Sequence, residues 1–399
     1  MDSKQLTDGA VMQISQKALQ ELRIPANIKV SILPIGKQEF RLGPLIGILT
    51  SGRVCRNRTF NFYLNYSVML KSGLLYIFSY QGLNTKTKTI TGYYFNHSEK
   101  TWVPAELPYP DVVIDRVYPN TYWAHRQLEK VIGRGKIFNK KSLINKLDFY
   151  TALSADSFLK THVPVTKTCT NPANLENFLK THRKLFIKPL NGMQGRGIIT
   201  VSLENNAAKC RFMLKGKVIE KKLTGFDEIW GVLQHFGHPR RRYIMQNAIP
   251  RMEYRGGPFC FRVMVCKNGS GQWLVPAIFT KTATGASFLT NHAAGARFVS
   301  LKNLFKEIEG RLGYDKTQFI NQLIDLGVKT AGILDQKYGP LGELGLDMVV
   351  DRSGKPWLIE ANGNPGMVPR SHMIEFPHWV YQMFNLPVSY AIYLAGFNN

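Results

Sequence analysis

Apolar and polar positions divide the chain into stretches of different character. From Leu42 short apolar runs end in small or polar loops: 44–49 leads into Thr50-Ser51-Gly52, and 74–78 and 111–117 follow. Runs of this kind predict strands of an open α/β layer. A helix is expected over 59–71, and a hairpin-like pair over 89–95 and 100–103. Ahead of them a helix over 11–22 and a strand over 28–33 suggest a small accessory module, residues 1–40. Residues 119–147 are basic and helical in character. Helix periodicity continues over 143–153, with Lys146 near its start, and 163–166 is extended.

The next segment, 184–201, places glycines at 192, 195 and 197 after a strand that carries Lys188. A dinucleotide fingerprint or a Walker loop requires strand, glycines, then helix. Here Ile-Ile-Thr-Val follows, which is a strand. The loop therefore joins two strands, and its amides can wrap phosphate oxygens. Strands are expected over 210–220 and 243–249 with a helix over 226–236 between them. Residues 259–265 and 273–279 read as a strand pair, with Arg262 on the first. Thr290-Asn291 begins a polar loop, and 319–334 has a wide apolar helical face suited to packing on a sheet.

That helix leads to 345–366, which reads as a β-hairpin presenting acids. LDMVVD and WLIEA are strand-like, and Ser353-Gly354 suits a two-residue turn. If Arg352 pairs with Lys355, Asp347 stands opposite Glu360, and Asn362 shares the face of Glu360. Directly opposed carboxylates repel. Two carboxylates and an amide oxygen are also hard ligands of the kind that hold Mg²⁺ against phosphates. The alternative is a solvent-exposed hairpin with ordinary acids.

Composition narrows the partners. The 399 residues suffice for two or three domains, and 44% hydrophobic with 20% charged residues is a globular composition. Lys and Arg number 52 against 27 Asp and Glu, a net charge of +25. That excess favours anionic partners. Nucleic acid is disfavoured, because neither a helix-turn-helix nor aromatic-basic interleaving is present. Arg240-Arg241-Arg242 reads as a solvated loop. Asp115 and Arg116, at a strand end, either face a ligand or form a structural ion pair, and the ion pair is favoured. Five cysteines without a CxxC pair suggest reduced thiols in a cytoplasm-like compartment. The first residues lack a signal-peptide pattern. The uncharged tail from Trp379 is interrupted by Gln382, Asn385, Pro387 and Ser389, so a packed helix and strand is expected there and no membrane span. His292 and His372 lie near these loops, and a structural role is expected for each.

Together, a Lys-Pro strand, a glycine loop between strands, a basic strand and a D…ExN hairpin resemble the ATP-grasp superfamily. RLGPLIGILTSG, YPDVVIDRV, FIKPLNGMQGRGI, FRVMVCKNGSGQW, SFLTN and LDMVVDRSGKPWLIEANGNPG are similar to the YheC/YheD-type family, associated with the endospore coat. The resemblance implies two α+β subdomains clasping ATP (residues 141–399, with 166–250 as the smaller), preceded by a Rossmann-like pre-ATP-grasp domain over 41–140. It implies ATP and two Mg²⁺ as cofactors, and a carbon–nitrogen ligase acting through an acyl phosphate. Lys146 and Lys188 would bind phosphates under a cover loop that includes Gly192, Gln194, Gly195, Arg196 and Gly197. Gln246, Asn247, Ala248 and Ile249 would form the hinge beside adenine, with Glu253 at the ribose. Asp347, Glu360 and Asn362 would hold metal. Arg262 would act with Lys188 in catalysis and stabilise the transferring phosphoryl group. Asn291, Asn364 and Gly366 would border a carboxylate substrate, small or polymeric and of anionic character. The family commonly has an acid two residues before the strand arginine, where this chain has Cys260. The rival expectation is a non-catalytic nucleotide-binding protein of coat assembly.

Overall fold

The computed structural model describes residues 14–26, 28–117, 122–190, 196–204, 207–214, 217–236, 242–283, 290, 296–366 and 377–397. Contacts divide the chain into Met1–Phe138 with Val388–Asn399, and Asn139–Pro387. The division falls at 138/139, and the last residues group with the first unit.

The first unit opens with α1 (Gln16–Leu22), whose first turn is capped by Ser15. Residues 1–13, expected in part to be helical, lie outside the described residues. A hairpin of β1 (Ser31–Pro34) and β2 (Phe40–Gly43) follows. Then come β3 (Leu45–Thr50), α2 (Gly52–Asn57), α3 (Asn61–Met69), β4 (Leu74–Asn84), β5 (Thr89–Asn96), β6 (Thr101–Pro108), β7 (Val112–Asp115), α4 (Tyr122–Ile132) and β8 (Ile137–Phe138). The sheet order is β6-β5-β4-β3-β7-β8. β3 is parallel to both β4 and β7. Every residue of β3 is buried, as a strand covered on both faces requires. Asp115 does not pair with Arg116. Successive strand residues face opposite ways; Asp115 Oδ2 lies 2.6 Å from Nε2 of His125 on α4, while the Arg116 guanidinium lies over the Phe62 ring of α3.

The second unit contains two sheets. α5 (Lys146–Ser154) precedes β9 (Thr166–Cys169), α6 (Pro172–His182), β10 (Lys184–Pro189), β11 (Ile199–Glu204), β12 (Ala207–Leu214), β13 (Lys217–Leu223), α7 (Phe226–Phe236) and β14 (Tyr243–Asn247). These strands form an antiparallel sheet of order β13-β12-β11-β10-β14-β9. Leu175, Leu179, Ile229 and Leu233 of α6 and α7 bury one face against Leu185, Ile187, Val201 and Cys210. Alternation turns Phe186, Lys188 and Gln246 to the other face.

The larger sheet holds β15 (Glu253–Tyr254), β16 (Gly257–Lys267), β17 (Trp273–Thr282) and β18 (Arg297–Val299). After α8 (Leu301–Ile308) and α9 (Lys316–Tyr338), β19 (Glu343–Val350) and β20 (Pro356–Asn362) complete it. Its order is β18-β17-β16-β19-β20, with β15 beside β16. Asp315 caps α9, which buries Phe319, Leu323, Leu326 and Leu334 against Phe261, Val263 and Leu346. α10 (Pro377–Ala395) is one helix where a helix and a strand were expected. Buried Met383, Phe384, Val388, Ala391 and Ala395 recur across it at helical spacing, carrying the helix through Pro387. Among the described residues, no helix is long and apolar enough to cross a membrane.

Candidate active site

The site is built on the β19–β20 hairpin. Asp347 pairs with Glu360, as expected, and Gly345 with Asn362. The turn differs from the expected two-residue form. The Asp351 N–H donates to the Lys355 carbonyl (3.0 Å), and Gly354 N–H donates to the Asp351 carbonyl (3.0 Å). The loop is therefore Arg352-Ser353-Gly354. Asp351 Oδ1 accepts from the Ser353 and Lys355 amides, and Gly354 takes a φ of +89° that a side chain would strain. This moves the first pairs by one residue: Met348 faces Leu358. A bulge at Ile359 then sets Glu360 opposite Asp347. The Tyr150 hydroxyl on α5 donates to the Ile359 carbonyl.

Arg262, Asp347 and Glu360 form one row across β16, β19 and β20. Arg262 grips Asp347 with two hydrogen bonds, Nε to Oδ1 at 2.7 Å and Nη2 to Oδ2 at 3.0 Å. A Cβ at Gly345 would meet Arg262 Nη1 and Pro365 Cβ, each at 2.8 Å, so only glycine leaves room for this grip. Lys281 Nζ on β17 lies 3.5 Å from Asp347 Oδ1. Burial alone would raise the Asp347 carboxyl, but Arg262 and Lys281 hold it below the usual range. Lys146 opens α5 behind the Asn145 cap, where the helix dipole disfavours a cation. Its Nζ lies 3.4 Å from Glu360 Oε1, which offsets that cost.

Lys146, Asp347 and Glu360 line a cavity of about 120 Å³ with Lys188, Arg251 and Asn247. Phe186, Ile198, Ile249 and Val349 supply apolar wall. Lys188 and Arg251 both lie over the Phe186 ring, at 5.8 and 5.4 Å. Burial pushes the Lys188 ammonium down to about 7, helped by Lys146 and Arg251 and opposed by Glu360. Gln246 lines the cavity, yet its side chain is engaged by Thr166 (2.7 Å) and Tyr150 (3.4 Å). Asn247 differs: its Oδ1 is buried without a hydrogen-bond partner among the described residues.

Lys146, Lys188, Gln246, Asn247, Ile249, Asp347 and Glu360 are thus brought together. Arg262 reaches them through Asp347, and Asn362 through its place on the hairpin face. Glu253 is not among the lining residues; it is exposed on β15, where its carbonyl accepts from Arg311. Ala248 donates its N–H to the Lys184 carbonyl. Arg196 and Gly197 form a turn before β11, and Asn364 and Gly366 follow β20. Gly192, Gln194, Gly195, Asn291, His292 and His372 lie outside the described residues. Cys260 lines the cavity, buried, with Sγ 3.9 Å from the Thr290 carbonyl. Sequence reasoning missed Lys281, Arg251, Phe186 and Tyr150. A signal for Lys281 existed: it is the lone charge in WLVPAIFTKT, two residues beyond Phe279, which pairs with Arg262.

The donor set suits a hard divalent cation: two opposed carboxylates and an amide oxygen, with Asp347 ionised at neutral pH. Lys146, Lys188 and Arg251 surround the same cavity, an arrangement able to neutralise a chain of phosphates beside an apolar wall.

Residues 134–394 match the model of the YheC/D-like ATP-grasp family. Endospore coat-associated protein YheD of Bacillus subtilis (strain 168) is 26% identical over 376 residues, covering 90% of this chain and 80% of the relative. Endospore coat-associated protein YheC of the same organism is 23% identical over 311 residues, covering 75% and 82%. Among solved structures, D-alanyl-alanine synthetase A from Vibrio cholerae is 13% identical with a TM-score of 0.47, over 87% of this chain and 100% of that one. D-cycloserine synthetase DcsG is 12% identical with a TM-score of 0.48, over 88% and 99%. With two antiparallel sheets flanking a cation-lined cavity and a family match over most of its length, this chain has the ATP-grasp fold and belongs to the YheC/D-like ATP-grasp family.

Proposed function

We propose that the protein binds Mg-ATP in this cavity and is an ATP-dependent carboxylate–amine ligase. The observation that carries the reading is the convergence of Lys146, Lys188 and Arg251 with the opposed pair Asp347–Glu360 on one cavity. Phe186 and Ile249 flank the base, and the cations take the phosphates. Bound Mg²⁺, held by Asp347, Glu360 and Asn362, would neutralise charge on those phosphates.

In the first half-reaction a substrate carboxylate oxygen attacks the γ-phosphorus, the bond to the β–γ bridging oxygen breaks, and ADP leaves. In the second, an amine attacks the acyl carbon and inorganic phosphate leaves, the amine proton passing to solvent or phosphate. Positioning and charge stabilisation supply most of such catalysis. Arg262 and Lys281, which hold Asp347, are placed for it, and a metal held by Asp347 would leave both cations free to face the transferring group. Asn364 and Gly366, past the metal hairpin, and Asn291 would border the substrate. The basic excess favours an anionic one, and a soluble, cytoplasmic or coat-associated setting fits the relatives.

Mg²⁺-dependent thermal stabilisation by ATP tests binding. ADP release with pools of carboxylates and amines tests turnover, which Glu360→Ala should abolish while the fold persists. Absence of both signals overturns the proposal. A second reading, a nucleotide-binding coat protein without turnover, draws on Cys260, which stands where an acid is common in the family; stabilisation by Mg-ATP without ADP release under any pool would select it.

A further inference from the structure

Arg251 stands between the two halves of the cavity. Its backbone is tied to the outgoing end of β19. The Met252 N–H donates to the Val350 carbonyl (2.8 Å), the Arg352 N–H donates to the Pro250 carbonyl (3.0 Å), and Arg251 itself pairs with Asp351. Met252 is buried in the core that α9 covers, so alternation turns Arg251 the other way, into the cavity. Asp351 lies four residues past Asp347, about 13 Å along an extended strand. Between them Val349 faces the cavity, packed with Ile249 and Ile359 as apolar wall. The Arg251 guanidinium does not stay at that end. It lies over the Phe186 ring, 5.4 Å from the centroid, and Lys188 Nζ lies 5.8 Å from the same centroid. One side chain thus runs from the apolar wall to the phosphate cations.

A nucleotide with its base on that wall and its phosphates at Lys146 and Lys188 carries its ribose past Arg251, because the sugar joins the two. The acids among the described lining residues, Asp347 and Glu360, both lie in the metal row. What the protein presents to the sugar is therefore a donor. A guanidinium offers five N–H donors in a fixed fork and no acceptor, and a ribose hydroxyl oxygen accepts. A nucleotide without that hydroxyl leaves the donor unpaired inside the cavity. Such a loss discriminates far more strongly than a change of apolar contact.

We propose, on the nucleotide reading above, that Arg251 is the sugar-specificity residue of this site: its guanidinium donates to a ribose hydroxyl and so selects ribonucleotides over deoxyribonucleotides. The full chain is titrated by calorimetry with ATP, 2′-deoxy-ATP and 3′-deoxy-ATP at saturating Mg²⁺. At least one deoxy compound should bind about tenfold or more weakly than ATP, the scale of one charge-assisted hydrogen bond, and which one it is identifies the hydroxyl. In Arg251→Met that ratio should collapse to about twofold or less, whatever affinity all three lose with the charge. Lys188→Met, which removes a phosphate contact, should weaken all three together and keep the ratio. Equal affinity of the wild type for the three, or a ratio that survives in Arg251→Met, overturns the proposal and leaves the nucleotide reading standing. No binding of any of the three removes both. Should Arg251→Met fail to fold, Arg251→Lys decides: a single ammonium lacks the planar fork, so the ratio should fall about threefold or more, and an unchanged ratio overturns the proposal.

Discussion

Arg262 and Asp347 face each other across β16 and β19, joined by hydrogen bonds of 2.7 and 3.0 Å. The carboxylate expected to hold metal is therefore held by a guanidinium. Arg262→Ala leaves Lys281 as the remaining cation on Asp347. We expect a stability loss of about 1–3 kcal/mol by urea denaturation, the range for charged hydrogen bonds. ADP release should fall by about 10²–10³, the loss expected when one transition-state donor is removed. Magnesium affinity in the presence of ATP should hold or improve, since Asp347 is freed. Gly345→Ala, which crowds Nη1, should act in the same direction on turnover. Weaker magnesium binding in Arg262→Ala would show that the grip preorganises Asp347 instead of competing for it.

Lys188 links binding to pH. Its ammonium is pushed down to about 7 from an ordinary 10.5. Near pH 8 it is mostly neutral, and phosphate oxygens favour its charged form, so nucleotide binding should take up a proton. Affinity should decline from pH 6 to 9, and Lys188→Met should flatten the decline. Calorimetry in buffers of different ionisation enthalpy counts the proton. The ligand-free protein has the complementary dependence. Between about 7 and 10.5 the unfolded lysine binds a proton that the folded one does not, so this group destabilises the fold at low pH and the penalty is relieved as pH rises. Unfolding midpoints of wild type and Lys188→Met should therefore converge above pH 7.

Asn247 carries a buried Oδ1 without a partner on the cavity wall. Placed at the hinge, it would accept from the exocyclic amine of adenine and repel the carbonyl of guanine. Asn247→Leu removes an unsatisfied acceptor, so stability should change by less than about 1 kcal/mol. The preference for ATP over GTP, read from thermal shifts, should fall at least tenfold. An unchanged preference would place base selection on the backbone of Ala248 and Ile249.

The parts legible in the sequence were those that repeat a local rule. Alternation along LDMVVD and WLIEA put Glu360 and Asn362 on one face, and an assumed Arg352–Lys355 pairing set Asp347 against Glu360, the pair that is observed. The turn was not legible, because Asp351 reaches its own backbone and Gly354 adopts a positive φ, which lengthens the loop while the Ile359 bulge compensates. Two shifts in one hairpin cancel, and the pattern of apolar positions records neither. Lys281 was missed because a lysine near a strand end resembles a solvated residue; only its pairing beside Arg262 shows otherwise. Glu253, placed at the ribose by the family resemblance, is exposed on β15 opposite Pro258 and is not among the residues that line the cavity. Asp115 was paired with its sequence neighbour, although adjacent strand residues point to opposite faces.

Tyr150 joins three of these parts. Its hydroxyl donates to the Ile359 carbonyl at the bulge and lies 3.4 Å from Gln246 Oε1, and Gln246 in turn holds Thr166. The bulge is what sets Glu360 opposite Asp347, so this one hydroxyl positions Glu360, the proposed metal ligand, and β14 together. Tyr150→Phe keeps the ring, which packs against Phe149 with centroids 5.0 Å apart. It leaves a buried carbonyl short of a donor, a cost of about 1–2 kcal/mol. A purely structural role would lower the melting temperature equally with and without ligands. A positioning role predicts more: stabilisation by Mg-ATP should shrink more than stabilisation by ATP alone, because Glu360 is the group displaced. Equal losses in the two would assign Tyr150 to packing and leave the placement of Glu360 to Lys146.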